Sequence, residues 1–174
     1  MGRMSDAPYV DRHIGGKRKV DDLDGAALDR TALALARRQH GVVARRQLLE
    51  IGARTDAIDF RLRRGRFQPV YRAVYAVGHD ALKREGRWLA AVLASGTGAV
   101  LSHRSAAALW GIAALAGTEV TVPKPRRPAA GIALHVAVLA PDEITYRDGI
   151  PVTTVPPPCS TWLPCSARVS WKGQ

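Results

Sequence analysis

The stretch Gly52-Ala-Arg-Thr-Asp-Ala-Ile-Asp-Phe-Arg-Leu-Arg-Arg-Gly-Arg-Phe67 most constrains what this chain can fold into. Residues 55–64 read as a short helix that seats Ile58 and Leu62, at i and i+4, against the rest of the protein. The arginines then point away from that stripe. Gly65 stops the helix, and a β-rich run over residues 67–77 follows at once. A basic helix running directly into a hairpin is the pattern of a winged helix-turn-helix, whose second helix enters the DNA major groove.

The segments before it fit that expectation. Leu28, Ala32, Leu35 and Ala36 mark one face of a first helix, with Asp29 placed to favour its N-terminus and Gly41 to end it. A second helix over residues 44–51 sets Ala44, Leu48 and Ile51 at i, i+4 and i+7, and Gly52 breaks it. Thr55 then caps the third helix. Phe60 falls off the apolar stripe. The wing is expected as two runs, residues 67–70 and 74–77, joined by Tyr71-Arg-Ala73, with Pro69 confining the first run to an edge.

Charge is concentrated on the same segment. From Arg37 to Arg72 there are ten arginines, no lysine and three acids, so seven of the eleven net positive charges lie there. The first 36 residues carry six basic and six acidic residues and cancel. A localised basic block points to a polyanionic partner more strongly than a uniformly basic chain does. Arg54, Thr55, Arg61, Arg63 and Arg64 are the candidates for phosphates and base edges. Arg45, Arg46, Arg66 and Arg72 read as phosphate clamps from the second helix and the wing.

Beyond Gly78 the pattern changes to a mixed α/β arrangement. Helices are expected over residues 81–95 and 103–110, with a buried strand at residues 99–101 between them and Ser102 as a cap. Strands follow at residues 119–122, 132–139, 144–146 and 150–154. Asp148-Gly149 between the last two is a hairpin signal. Lys124-Pro-Arg-Arg-Pro128 is a basic loop. Trp88 and Trp110 read as core. The expected fold class is therefore α+β, with a leader at residues 1–27, a winged helix-turn-helix at 28–78, a small α/β domain at 79–156, and an unstructured tail at 157–174.

Several chemistries find no support. The five histidines (His13, His40, His79, His103 and His135) are scattered, and no metal-ligand motif is present. Cys159 and Cys165 have no further partners and the wrong spacing for a zinc knuckle, which reads as a reducing compartment. No apolar run is long enough for a membrane span, and no secretory signal is evident. Gly96-Thr-Gly98 lacks the lysine of a P-loop. A cytoplasmic protein without catalytic residues, cofactor or metal is the expectation.

A family resemblance rests on several spaced motifs. Gly41-Val-Val-Ala, Gln47-Leu-Leu, Gly52, Ala57-Ile-Asp59, Arg63-Arg-Gly-Arg66 and Tyr71-Arg-Ala-Val-Tyr-Ala76 together resemble the N-terminal winged helix of AbiEi-type antitoxins of type IV toxin–antitoxin systems. Leu101-Ser-His-Arg-Ser-Ala-Ala-Ala-Leu-Trp-Gly111, Thr121-Val-Pro123 and Asp148-Gly-Ile-Pro-Val-Thr-Thr154 resemble the segment that follows it in actinobacterial members. The resemblance covers residues 28–156. It implies a DNA-binding antitoxin that regulates transcription of its own operon, with double-stranded DNA and a nucleotidyltransferase-like toxin as partners. The α/β segment would serve toxin contact or self-association.

Two departures stand out. Ala73 occupies a turn position where the family uses Gly, and Ala there is strained if φ is positive. After Pro156 the family continues into a helix of the type Thr-Leu-Leu-Asp-Leu-Ala-Ala-Val-Leu. One set of codons for that helix, read one base on with one further G, yields the Pro158-Cys-Ser-Thr-Trp-Leu-Pro-Cys-Ser166 found here. The expectation is a frameshift near Pro157. The alternative reading is accordingly a truncated, catalytically inactive DNA-targeting half of a protein with a very-short-patch-repair-like endonuclease domain.

Overall fold

The structure is a computed structural model that describes residues 25–78, 81–114 and 117–154. The expected leader up to residue 24, the expected tail with both cysteines, and His79 lie outside the described residues. The fold is α+β, with five α-helices and two sheets among the described residues.

The N-terminal half runs α1 (Gly25–Arg38), β1 (Val42–Ala44), α2 (Arg45–Glu50), α3 (Thr55–Arg63), β2 (Phe67–Tyr71) and β3 (Val74–Val77). Helix α1 begins three residues earlier than the apolar periodicity indicates. Asp29 therefore falls outside its first turn and bonds side chains instead of the helix end. The helix closes through the left-handed residues His40 and Gly41, and the Gly41 amide donates to the Ala36 carbonyl.

Strand β1 replaces the first residue expected of the second helix. Val42, Val43 and Ala44 pair antiparallel with β3, and β3 pairs with β2, giving the order β1-β3-β2. Pro69 sits on the β2 edge, as a residue without an amide donor must. A bulge between Pro69 and Tyr71 bends the hairpin. Its turn is Arg72-Ala73, with Ala73 at φ 60°, so the strained alanine anticipated from the sequence is present.

The three-stranded sheet packs against a core on each face, with β1 and most of β3 buried and the β2 edge more open. Val43, Phe67 and Tyr75 join Leu28, Ala32 and Ala36 of α1, Leu48 of α2 and Ile58 of α3 in one core. Val42, Ala44 and Val74, pointing the other way, enter the larger core with Trp88 and Leu89. Alternation along each strand thus serves two cores from one sheet. The packing is continuous across Gly78, where the composition suggests a boundary.

The C-terminal half contains α4 (Arg84–Ser95), β4 (Val100–Leu101), α5 (His103–Leu109), β5 (Glu119–Val122), β6 (Ala133–Val136), a single 3-10 turn (Pro141–Glu143), β7 (Ile144–Arg147) and β8 (Ile150–Thr153). Its five strands take the order β6-β5-β4-β8-β7, with β5–β6 and β4–β8 parallel. Helix α4 contacts both sheets and carries the apolar residues that unite them, Trp88 foremost. Gly86 lets it approach the α1 end closely, since a Cβ there would lie 2.6 Å from the His40 carbonyl oxygen. His40 also reaches the C-terminal half, with Nε2 2.6 Å from the Asp148 carbonyl oxygen. The Asp148-Gly149 hairpin forms as the dipeptide dictates: both residues have positive φ, and Arg147 pairs with Ile150.

Candidate functional site

Helix α3 buries Ile58 and Arg61 and half-buries Ala57 and Leu62. Successive residues turn by about 100°, so these four positions span one continuous inward arc. Thr55, Asp56, Phe60, Arg63 and Arg64 are exposed on the remaining arc, with Asp59 half-buried among them.

Arg61 corrects the sequence-based expectation. Its side chain is 5% exposed, and its guanidinium is committed inward. Nε donates to Asp29 Oδ1 at 2.5 Å, Nη1 to the Ala57 carbonyl at 2.9 Å, and Nη2 to the Gly25 carbonyl at 2.5 Å. The position lies about 60° from Ile58 on the helix circumference, inside the buried arc. The chain can lay the aliphatic stem in the core and saturate the charged end with oxygens. Arg61 is unavailable to any ligand.

Arg45 is also structural. It projects from the start of α2, half-buried, and donates to Asp59 Oδ1 at 2.8 Å and the Tyr75 hydroxyl at 3.1 Å. These bonds raise the guanidinium pKa and hold the Asp59 carboxyl below its ordinary range. Arg66 is exposed but donates to Asp29 Oδ2 at 2.6 Å, so one carboxylate bridges Arg61 and Arg66. Arg54 pairs with Asp56 at 3.2 Å on the surface, and that hydrogen bond lowers the Asp56 pKa.

Thr55 is exposed as the first residue of α3, and Arg54 occupies the N-cap without a side-chain cap bond. The expected threonine cap is therefore absent. The nearest side-chain bond to a free amide of that turn is Asp56 Oδ1 accepting from the Ala57 amide. Arg46 is half-buried on α2.

Arg63, Arg64 and Arg72 remain as exposed arginines. The Arg64 guanidinium lies 5.3 Å from the centre of the Phe60 ring, which gives that exposed phenylalanine a role as a platform. Arg72 sits on the hairpin turn. An open groove beside α1 is lined in part by Asp56, Phe60, Arg63 and Arg66. The helix and the turn thus offer exposed guanidinium groups, while neighbouring arginines brace the helix that carries them.

A second constellation lies on the five-stranded sheet. His103, Glu119 and His135 come together although they are far apart in the chain. Parallel pairing sets Thr121 beside His135 and Glu119 beside Ala133, so His135 and Glu119 share a sheet face. His135 Nε2 is 3.0 Å from Glu119 Oε2, and the His103 ring stacks on His135 with centroids 3.8 Å apart. Burial lowers the His103 pKa, and the neighbouring His135 lowers it further. Ser102 occupies the α5 N-cap, but its hydroxyl makes no cap bond. It accepts from Thr121 Oγ1 at 2.8 Å and lies 3.0 Å from His103 Nδ1. The scattered histidines of the sequence therefore include one spatial pair, visible only once the β5–β6 register is known.

No family model and no curated protein sequence matches the chain. No helix among the described residues is long and apolar enough to cross a membrane.

Proposed function

We propose that the chain is a sequence-specific DNA-binding regulator whose α3 reads duplex DNA and whose β2–β3 hairpin is a wing. The element order helix-strand-helix-helix-strand-strand with sheet order β1-β3-β2 is the arrangement expected of a winged helix-turn-helix. The observation that carries the reading is the outward arc of α3, which exposes Arg63 and Arg64, while the hairpin turn exposes Arg72. Arginine forks suit phosphate oxygens and guanine edges.

In this reading Arg46, Arg54, Thr55 and Arg66 flank the contact, and Arg45 and Arg61 hold its geometry. The resemblance to AbiEi-type antitoxins supplies the biological setting: a cytoplasmic repressor of its own operon, non-enzymatic, with the C-terminal half for a nucleotidyltransferase-like toxin or a second copy.

The test is a binding titration of the full chain on duplex DNA from upstream of its own gene, repeated across salt concentrations. Each neutralised phosphate contributes roughly 0.9 to the slope of log affinity against log salt. A slope of about 3 or more, with preference over scrambled duplex, supports the proposal. A slope near zero overturns it.

A further inference from the structure

We propose that His103, Glu119 and His135 form a binding site for a divalent transition-metal ion, with zinc the best-fitting occupant. One ligand atom from each of the three residues lies within 4.8 Å of the other two. Ligands around a tetrahedral zinc sit about 2.0–2.2 Å from the ion. One pair is already closer than the geometry needs, His135 Nε2 and Glu119 Oε2 at 3.0 Å. The His103 ring, stacked on His135 at 3.8 Å and exposed, must turn out of that stack to bring the third ligand to a common centre.

The donor set selects the ion. Two imidazoles and one carboxylate suit zinc and its late first-row neighbours, whereas calcium and magnesium take oxygen. Three protein ligands leave a coordination position for water, and the exposed His103 faces solvent.

The surrounding bonds are those such a site requires. A ligating histidine donates its other ring N–H to an oxygen that fixes its orientation. Ser102 Oγ stands at 3.0 Å from His103 Nδ1, itself anchored by the buried Thr121 hydroxyl, which leaves Nε2 for the metal. Glu119 is held from behind, because its amide donates to Ser105 Oγ at 2.8 Å. The His103 backbone, the first residue of α5, takes the left-handed conformation, φ 51°. A bound ion would tie the start of α5 to β5 and β6. The site is on a different sheet from α3, so it is independent of the DNA-binding proposal.

The experiment is titration of the metal-free full chain with Co²⁺ and Zn²⁺, followed by the visible absorption of bound cobalt and by calorimetry. The expected result is a single equivalent bound, cobalt displaced by zinc, and a raised unfolding temperature with zinc. Glu119→Gln, His135→Ala and His103→Asn are each expected to weaken binding by roughly a hundredfold. Asparagine is chosen because it tolerates the left-handed backbone. Unfolding of each metal-free variant near the wild-type temperature separates ligand loss from misfolding, and the first two variants decide the matter if the third does not fold. The control replaces Cys159 and Cys165 by serine and His13 and His79 by alanine. Binding kept in that control and lost in the three variants supports the site. Absence of binding by the wild type, or loss in the control with retention in the variants, overturns it.

Discussion

Arg61 Nε lies 2.5 Å from Asp29 Oδ1, and this contact fastens α3 to α1 from inside the fold. The guanidinium is almost fully removed from water and bonded at three nitrogens. Removing the acid leaves a buried charge without its counter-ion, a change that costs about 3–5 kcal/mol. Asp29→Ala is therefore expected to lower the unfolding midpoint severely, and Arg61→Ala to do so through lost packing and orphaned oxygens. Urea unfolding of both variants checks this. A change under about 0.5 kcal/mol for either, the range of ordinary surface substitutions, would remove Arg61 from the structural set.

The exposed arginines behave in the opposite way. Arg63→Ala, Arg64→Ala and Arg72→Ala are expected to leave the unfolding midpoint within about 0.5 kcal/mol of wild type. Each will weaken DNA binding, by roughly 1–3 kcal/mol where a bidentate base contact is lost. A variant that loses only a phosphate contact will instead lower the salt slope by about 0.9 without changing sequence preference. If all three bind as tightly as wild type, α3 is not the reading helix.

The contrast between Arg61 and its neighbours marks the limit of what the sequence discloses. Ile58 is legible as core because it recurs with Leu62 at helical spacing on one face of α3. Arg61 is not, because its stem and its charged end belong to different environments, and only the position of Asp29 on another helix decides between them. Strand β1 escapes for a related reason: Val-Val-Ala is apolar in either secondary structure and too short to express a period. The Asp148-Gly149 turn is fully local and legible in the sequence, with each flanking strand ending one residue from where the pattern places it. The His103, Glu119 and His135 cluster was not, because it depends on a parallel strand register that no local pattern encodes.

Acid weakens the Arg45–Asp59 bond in a definite pH range. The hydrogen bond from Arg45 holds the Asp59 carboxyl below its ordinary range in the folded protein. A depressed folded value means the bond contributes fully above the unfolded pKa, about 3.9, and is lost as pH falls through the lower folded value. The unfolding midpoint of Asp59→Asn is thus expected to trail wild type by a constant amount from neutrality to about pH 5. The gap closes below about pH 4. Both carboxyl and guanidinium are partly exposed, so the gap will be small and reduced by salt. A gap that persists undiminished in strong acid would mean that Asp59 acts by something other than its charge.

Ala73 takes φ 60° in the hairpin turn, a conformation that costs an L-residue roughly 1–2 kcal/mol. Its carbonyl accepts from the Arg45 amide at 2.8 Å, so the turn cannot relax without losing that bond. Ala73→Gly relieves the strain at a smaller penalty in unfolded-state entropy, about 0.4–1 kcal/mol. The expected outcome is a rise in melting temperature of about 1–3 °C with unchanged DNA affinity. A fall in melting temperature would show that the turn holds alanine without strain.

Gly86 reverses the usual rule for glycine within a helix. In an open helix, Gly→Ala gains about 1 kcal/mol from backbone entropy. Here the added Cβ would stand 2.6 Å from the His40 carbonyl oxygen and 3.2 Å from Leu82 Cδ2. The leucine can rotate aside, but the carbonyl belongs to the turn that closes α1 and delivers β1 to the sheet. Relief of the clash must move α4 away from the three-stranded sheet, loosening Trp88 and Val74 in the core that both halves share. Overpacking of this kind costs about 1–3 kcal/mol. Gly86→Ala is therefore expected to lower the urea midpoint, and hydrogen exchange should accelerate at the β1 and β3 amides as well as along α4. Stabilisation by the substitution, or faster exchange confined to α4, would mean that the two halves do not rely on this close approach.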